Sequence, residues 1–328
     1  MARERRRRRG GSAEESDSKS IPKAPAYIKR KIPHYSILSD DDLSIIEENA
    51  DTILEEIGIV FSEDQEALDI LEKAGASVDG MRVRFPKGMC RKLIQDNAPK
   101  QFTQYARNPE RNVEIGGDNM VLVPAYGPPF VHDLDEGRRY ATIEDFRNFI
   151  KLAYMSDNLH HSGGTICEPV DLPVNKRHFD MVYTHMRYSD KPFMGSVTAP
   201  ERAEDTVEMA KILFGADFID NNTVITSLIN ANSPMVWDST MLGAMKAYSR
   251  NNQAVVVSPQ LRFMLRHSED KHAAQICPHS AHPDDGCVYL YQRARDMRTR
   301  CVGSIVRLHI RIGYCARSST SIVAATLR

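Results

Sequence analysis

The central part of the chain alternates between short apolar runs and amphipathic segments. Between about Leu159 and Gln260 this alternation repeats roughly every thirty residues, as in βα units. The apolar runs predict strands, and the amphipathic segments between them predict helices. Ala254–Val257 is apolar throughout, which is typical of a parallel strand buried on both faces. The predicted strands are 159–166, 192–197, 223–229 and 254–257, and the predicted helices are 174–187, 200–214 and 236–249.

These four predicted strands correspond to half of a closed βα barrel, which needs eight parallel strands and roughly 250 residues. After Leu261 the alternation stops, and Arg, His, Cys and Ser become frequent. We therefore predict an α/β fold in which residues 158–260 form an incomplete TIM-type (β/α) barrel. An N-terminal layer precedes it, and an unrelated C-terminal tail follows it.

The segment before the barrel, residues 31–157, predicts a layer of helices and β-hairpins. Ser39 is a suitable N-cap, because a serine hydroxyl accepts a backbone N–H and three aspartates follow in the first helical turn. From Gln101 to Tyr140, short alternating runs and a Gly-Gly-Asp-Asn turn predict strands. Thr142 and Asp145 predict the capped start of another helix. Residues 1–30 are polar and strongly basic, which predicts a disordered tail.

Residues 261–328 differ from the rest of the chain in composition. They hold ten Arg and one Lys against five acidic residues, and four of the six cysteines. Cysteine and histidine suggest a zinc site at 277–287, but the spacing C-x-H-x2-H-x4-C contains no CxxC pair, and we predict no metal site. The alternative hypothesis is that the genuine reading frame is lost near Gln260. Translating the encoding DNA in its other forward frames tests it, since one frame should then resume the alternation.

Composition argues against several classes of protein. No stretch approaches the length of about 18 uninterrupted apolar residues that a transmembrane helix needs. The basic run Arg3–Arg9 is not followed by the apolar core of a signal peptide. A formal net charge of −1 argues against a nucleic-acid-binding protein, and six cysteines do not describe a disulfide scaffold in 328 residues. We expect a cytoplasmic protein with neither membrane nor nucleic acid as partner.

Six segments together resemble the trimethylamine methyltransferase family, which also contains glycine betaine methyltransferases that lack pyrrolysine. No single segment is a catalytic fingerprint, but their order and spacing across residues 33–260 are specific. Residues 261–328 do not match the family. The segments are Leu43–Gly58 (LSIIEENADTILEEIG), Arg82–Pro86 (RVRFP), Tyr105–Pro109 (YARNP), Ala125–Asp133 (AYGPPFVHD), Asp190–Pro200 (DKPFMGSVTAP) and Ser227–Pro234 (SLINANSP).

The resemblance implies a βα-barrel enzyme that moves a methyl group from a tertiary or quaternary amine to the cobalt of a separate corrinoid protein. This chain shows no corrinoid-binding signature, so the cobalamin is expected on that partner protein and not bound directly. The family's barrel continues beyond the matching part, and the pyrrolysine position of its trimethylamine-specific members lies in that remainder. Catalytic residues therefore stay unassigned, and this chain is expected to be inactive by itself.

Candidate substrate-binding residues follow the predicted strands, because βα barrels place their sites at the carboxyl ends of strands. Asn230 and Asn232 come after the third strand and are candidates for contacting a substrate carboxylate or a bound water. The alternative is plain turn chemistry, since Asn-Ser-Pro is a common loop start. Ser258 ends the fourth strand and is a weaker candidate.

Three further candidates lie outside these strand ends. Tyr126 and Phe130 can form part of an aromatic cage around a substrate ammonium, or can instead pack between the front layer and the barrel. His161 lies in the first predicted strand and is either structural or part of the site. Gly163 and Gly164 either permit close approach of a ligand or form a bulge.

The sequence thus predicts a methyltransferase for amines of the trimethylamine or glycine betaine class, with a corrinoid protein as partner. The alternative is a non-catalytic half-barrel that dimerises through the strand edge at Ala254–Val257, so the prediction leaves a homo-oligomer open.

Overall fold

The computed structural model describes residues 28–32, 38–231 and 235–259, and within them the chain forms eight α-helices and thirteen short strands. The helices are α1 (Asp40–Glu56), α2 (Gln65–Lys73), α3 (Met89–Asn97), α4 (Ile143–Met155), α5 (Arg177–Tyr188), α6 (Pro200–Phe214), α7 (Ala216–Asn221) and α8 (Ser239–Arg250). The strands are β1 (Ile28–Lys29), β2 (Ile59–Phe61), β3 (Ser77–Asp79), β4 (Arg82–Arg84), β5 (Gln101–Gln104), β6 (Val113–Gly116), β7 (Asn119–Met120), β8 (Phe130–Asp133), β9 (Gly137–Tyr140), β10 (Phe193–Met194), β11 (Ile225–Ala231), β12 (Val236–Trp237) and β13 (Ala254–Pro259).

A three-stranded parallel sheet, in the order β10-β11-β13, is the centre of the second half of the described chain. Helices α6 and α8 follow β10 and β11 along the chain, and both pack against the outer face of this sheet. The core between them contains Ile225, Ile229, Val207 and Tyr248, all at most 1% exposed. The predicted α/β class is confirmed, but no closed barrel forms within the described residues.

The prediction of a regular strand over 159–166 is wrong. This segment runs beside β10, where Ser162 N–H donates to Pro192 O and Met194 N–H donates to Gly163 O, each at 2.8 Å. Gly163 has φ +89°, a left-handed conformation that interrupts strand geometry. Two backbone hydrogen bonds therefore hold the segment beside β10, although no regular strand forms there.

The N-terminal layer is joined to the parallel sheet through a second sheet, in the order β12-β2-β4-β3. Sequence periodicity predicts a helix from Val236, but Val236 and Trp237 form β12 and pair with β2. Helix α8 begins after them because the Asp238 carboxylate accepts the N–H of Met241 at 2.7 Å. Lys246 on α8 also bonds Asp64 at 2.8 Å and Glu66 at 2.9 Å, which ties α8 to α2.

The local start and stop signals of the predicted helices are present. Ser39 with Asp42, and Thr142 with Asp145, form reciprocal capping boxes at the starts of α1 and α4. Pro200 occupies the first turn of α6, and Gly215 ends it with φ +92°. Each cap is expected to stabilise its helix by about 1 kcal/mol.

The hairpin of β5 and β6 lies against the amino end of the parallel sheet. Tyr105 N–H donates to Thr223 O at 2.8 Å, just before β11 begins. The buried amide of Gln104 donates to Phe193 O at 3.0 Å and to Val224 O at 3.1 Å. The front layer thus packs against the amino end of the sheet.

Candidate functional site

The inner face of the parallel sheet runs from a buried floor to an exposed rim. Met194 pairs in register with Thr226, and Asn230 pairs with Ser258. Residues in register share a face, and alternate residues of one strand return to it. Thr226 is 2% exposed, whereas Asn230, four residues further along β11, is exposed at the carboxyl end. The parallel register pairs the backbones of the two predicted site residues Asn230 and Ser258, and Asn232 lies outside the described residues.

Tyr126 reaches the same inner face from the front layer. Its hydroxyl donates to the thioether of Met194, with Oη and Sδ 3.4 Å apart. The loop that carries Tyr126 is held by Gly127 N–H, which donates to Thr165 O at 3.0 Å. A Cβ on Gly164 would lie only 2.4 Å from the Tyr126 hydroxyl, so glycine is required for this approach. Burial raises the pKa of Tyr126, which keeps the phenol protonated as a neutral donor.

Phe130 is not brought together with Tyr126. Its ring lies 4.7 Å from that of Tyr140 and 4.0 Å from the guanidinium carbon of Arg138. Both partners belong to the β8–β9 hairpin. No ring contact joins Phe130 to Tyr126 in the described part of the chain. The geometry favours the packing role that the sequence left open for Phe130, and its role in substrate binding stays a prediction.

His161 lies in the buried interior, where the polar atoms of its ring have protein partners. Its Nδ1 accepts the N–H of Gly163 at 2.8 Å, so the hydrogen sits on Nε2, 3.2 Å from Gln104 Oε1. Burial, together with repulsion from His185, lowers the pKa of His161 to about 3. A neutral imidazole that is 1% exposed and fully bonded is typical of a structural histidine.

His185 holds the segment that follows His161 from its other side. Its Nε2 is 3.0 Å from Gly164 O and its Nδ1 is 2.7 Å from Ser162 Oγ. Burial lowers its pKa to about 4, in part offset by the bond to Gly164. We refer to His161 and His185 as the histidine clamp, because together they hold Ser162, Gly163 and Gly164 in place. The sequence shows His161 at the first predicted strand, but nothing local marks His185 on α5 as its partner.

Lys191 is, after His185, a second buried residue whose role the sequence pattern does not reveal. Its ammonium donates to Ala153 O at 2.8 Å, Ser156 O at 3.1 Å and Leu159 O at 2.8 Å. Burial lowers the pKa of Lys191 to about 8, with a further lowering from nearby Arg111. The three carbonyls lie at and after the carboxyl end of α4, so Lys191 ties that helix end to the start of β10.

Tyr248 approaches β10 from the opposite, helical side. Its hydroxyl donates to Ser196 O at 2.6 Å, and a Cβ on Gly195 would lie 2.2 Å from it. Burial raises the pKa of Tyr248, so this donor also stays neutral. Gly164 and Gly195, which lie within the predicted strands 159–166 and 192–197, are the sequence signal for these two close approaches. Their tyrosine partners, 38 and 53 residues away, cannot be recognised from that signal.

Neither the cysteines nor the possible metal ligands among the described residues form a further site. Burial raises the pKa of both Cys90 and Cys167 to about 12, and nearby carboxylates raise it further, so neither thiol is activated as a nucleophile. Within residues 28–32, 38–231 and 235–259, no group of three or more His, Cys, Asp or Glu side chains is placed to hold a metal ion. No helix in this part of the chain has the length and apolarity needed to span a bilayer.

The family model of the trimethylamine methyltransferases matches residues 3–264. The chain belongs to this family. Its match ends close to Leu261, where the alternation of apolar and amphipathic segments stops.

Three relatives are enzymes of related kinds. The glycine betaine methyltransferase of Desulfitobacterium hafniense (strain Y51) is 48% identical over 228 residues, which cover 69% of this chain and 47% of that enzyme. The proline betaine:corrinoid methyltransferase of Eubacterium limosum is 26% identical over 244 residues, 70% of this chain and 48% of that enzyme. The L-carnitine:corrinoid methyltransferase of the same organism is 24% identical over 233 residues, 66% and 46% of the two chains. The chain spans about half the length of these relatives.

Two solved structures align more distantly. The monomethylamine methyltransferase MtmB of Methanosarcina barkeri aligns with a TM-score of 0.44 and 10% identity, covering 69% of this chain and 46% of that enzyme. A hydroxylamine complex of MtmB aligns with a TM-score of 0.43 and 10% identity, covering 68% and 46%.

Proposed function

We propose that this chain carries the amino-terminal half of a betaine:corrinoid methyltransferase, with glycine betaine or a close analogue as substrate. The observation that carries this proposal is the 48% identity to a glycine betaine methyltransferase, against 26% and 24% for the enzymes named for proline betaine and carnitine. The methyl acceptor is the cobalt of a corrinoid carried by a partner protein. The cytoplasmic location expected from the sequence belongs to the same proposal.

The arrangement on the inner face of the parallel sheet supports this function physically. A quaternary ammonium cannot be protonated, and its hydration must be removed before a methyl carbon can be attacked. The aromatic ring of Tyr126, whose hydroxyl contacts Met194 of β10, offers a face for the cation, which is worth about 0.5–2 kcal/mol. Asn230 at the rim supplies polar contacts for the substrate or for a bound water. In this proposal the sheet fixes the orientation of the methyl group towards the open end.

The chain's own residues bind and orient the substrate, while the chemistry of the acceptor comes with the partner. The corrinoid supplies a cobalt nucleophile, and the carbon–nitrogen bond breaks with its electron pair staying on the amine nitrogen. The demethylated amine is the leaving group and needs no proton from the protein for this step. The family resemblance and the neutral tyrosine donors agree with a site that selects and aligns its substrate.

A chimeric enzyme tests the proposal. Residues 1–259 replace the matching half of the D. hafniense enzyme, joined after β13, and the purified protein is mixed with glycine betaine and cob(I)alamin. We expect methyl transfer, measured by the change in corrinoid absorbance, and none from the second half of the D. hafniense enzyme alone. A chimera that folds by circular dichroism yet transfers no methyl group from glycine betaine contradicts the proposal. The 328-residue chain is assayed in parallel and is expected to show no turnover.

One observation favours a second candidate function. The outer edge of β13 has no strand partner within the described residues, and unpaired edges pair readily with other chains. A non-catalytic protein that dimerises through β13 is therefore the alternative. Gel filtration of the 328-residue chain distinguishes the two: a folded dimer that the substitution Val256→Pro converts to monomers favours dimerisation.

A further inference from the structure

The side chain of Met194 has two hydroxyl-bearing neighbours on the inner face of the sheet. The Tyr126 hydroxyl donates to Met194 Sδ at 3.4 Å. Thr226 pairs with Met194 in register on the adjacent strand, so the two side chains are neighbours on one face. Thr226 is 2% exposed, and its Oγ1 has no hydrogen-bond partner among the described residues.

Both hydroxyl groups are poorly satisfied for their degree of burial. Buried polar side chains almost always have a partner, so the isolated Thr226 hydroxyl is unusual. A thioether sulfur is a weak acceptor, so the bond from Tyr126 is easily exchanged for one to a stronger acceptor. Met194 is only half-buried and its side chain is unbranched, which lets the sulfur move away from the hydroxyls.

The local backbone is arranged to keep the Tyr126 hydroxyl at this place. Gly164 leaves the space that a Cβ would fill 2.4 Å from the hydroxyl, and His185 holds Gly164 O at 3.0 Å. The ring is held near the sheet by the Gly127–Thr165 hydrogen bond. The hydroxyl therefore belongs to a rigid frame, while its present acceptor is the flexible component.

We propose that the Tyr126 and Thr226 hydroxyls form a subsite for the substrate carboxylate, which takes the place of the Met194 thioether. The inference rests on the proposed function and names the feature that selects a betaine over a simple quaternary amine. A carboxylate suits the pair because it only accepts hydrogen bonds, and both hydroxyls are free to donate. Because burial raises the pKa of Tyr126, this donor keeps its proton at neutral pH.

The subsite also sets the direction of the substrate. Thr226 is the second residue of β11, and Asn230 lies four residues further towards the carboxyl end. Glycine betaine has a single methylene between its carboxylate and its ammonium, so a carboxylate at Thr226 keeps the ammonium within about one strand residue, about 3.3 Å, of that position. The methyl groups then face the exposed rim, which is the side open to a protein partner.

Ligand binding to the full 328-residue chain tests the subsite. Isothermal titration calorimetry or ligand-observed NMR compares glycine betaine with tetramethylammonium, which has the same cation and no carboxylate. Tyr126→Phe and Thr226→Val each remove one hydroxyl and keep the shape of the side chain. We expect each to weaken glycine betaine binding about tenfold or more, the size of a hydrogen bond to a charged group, and to leave tetramethylammonium binding unchanged.

Thermal stability and control variants separate a ligand contact from a structural one. Thr226→Val removes an unpartnered hydroxyl, so its melting temperature should equal or exceed that of the wild type. Tyr183→Phe, at an exposed tyrosine, and Thr184→Val, at a threonine whose hydroxyl donates to Asp180 O, should leave the preference for glycine betaine intact.

The outcomes distinguish the subsite from the proposed function. If the wild type prefers glycine betaine and both hydroxyl variants keep that preference, or lose both ligands equally, the subsite is refuted and the proposed function stands. If only Asn230→Ala removes the preference, the carboxylate lies at the rim and the subsite is again refuted. If the wild type binds neither ligand, the subsite is refuted for this chain, whereas the proposed function is decided by methyl transfer in the chimera.

Discussion

Acid should destabilise the fold through the histidine clamp, and His161 is the sharpest case. Its Nδ1 accepts a backbone N–H from Gly163 at 2.8 Å, and that hydrogen cannot rotate away. Protonating Nδ1 would oppose two donors inside the core, which is why the neutral ring is favoured. The pKa of His161 is about 3 and that of His185 about 4 in the folded chain, whereas both are 6.5 without the fold.

The sign and size of the effect follow from these pKa values. The unfolded chain takes up protons below pH 6.5 and the folded chain does not, so the free energy of unfolding falls as pH falls through this window. A pH of 5.0 lies about 1.5 units below the unfolded pKa of each histidine. Each histidine therefore lowers the free energy of unfolding by about 2 kcal/mol at this pH. The pair should therefore lower the free energy of unfolding by about 4 kcal/mol between pH 7.5 and pH 5.0.

Urea denaturation of wild type and His161→Asn at pH 7.5 and pH 5.0 measures how much of the acid-induced loss of stability comes from His161. Asparagine can still accept the Gly163 N–H but does not titrate, so the variant should be less stable at pH 7.5 and lose only about 2 kcal/mol on acidification. His132→Asn, at an exposed histidine, is the matched control and should lose as much as the wild type. An equal acid-induced loss in wild type and His161→Asn would show that protonation of His161 does not destabilise the fold.

Three further substitutions test separate parts of the structure by urea denaturation. Gly164→Ala places a Cβ 2.4 Å from the Tyr126 hydroxyl and should cost about 1–3 kcal/mol, so a loss below about 0.5 kcal/mol would show that Tyr126 is not confined there. Lys191→Met removes the donor to three carbonyls and should cost about 2–4 kcal/mol, and an unchanged stability would contradict its role as a tie. Thr142→Ala removes the cap of α4 and should cost about 1 kcal/mol, whereas Thr52→Ala, which removes only a bond to the Glu48 carbonyl within α1, should be nearly neutral.

Local signals explain why part of the fold is predictable from the sequence. A cap depends on residues three positions apart, so Ser39 with Asp42 and Thr142 with Asp145 are visible in the chain. An apolar run such as Ala254–Val257 is visible in the same way, and β13 forms there. Once parallel strands are assigned, the ends of neighbouring strands meet, which is why Asn230 and Ser258 lie in register.

Long-range contacts explain what the sequence does not reveal. The pairing of β12 with β2 joins residues more than 170 positions apart through two residues each, too few for any periodic signal. Lys191 is charged and would be expected on the surface, yet three carbonyls stabilise it in the interior. Gly163, with a φ of +89°, interrupts the strand predicted at 159–166. An apolar run in the sequence does not reveal that backbone angle.

The same distinction applies to the site. The rule that sites lie at strand ends locates the exposed rim of the site at Asn230. The buried floor of the site depends instead on the face that Met194 and Thr226 share and on Tyr126 from the N-terminal layer. Tyr126 and Phe130 are four residues apart, and the turn between them takes their rings to different partners. Proximity in sequence was therefore a poor guide to a shared cage.

Methyl-labelled methionine NMR on the 328-residue chain reports whether a betaine binds at the inner face of β10-β11-β13. Met194→Leu assigns the Met194 methyl signal among the 14 methionines, and the exposed Met81 and Met155 serve as internal references. Glycine betaine should shift the Met194 signal saturably while the signals of Met81 and Met155 stay in place. Saturable binding that leaves the Met194 signal unchanged would show that the betaine binds elsewhere.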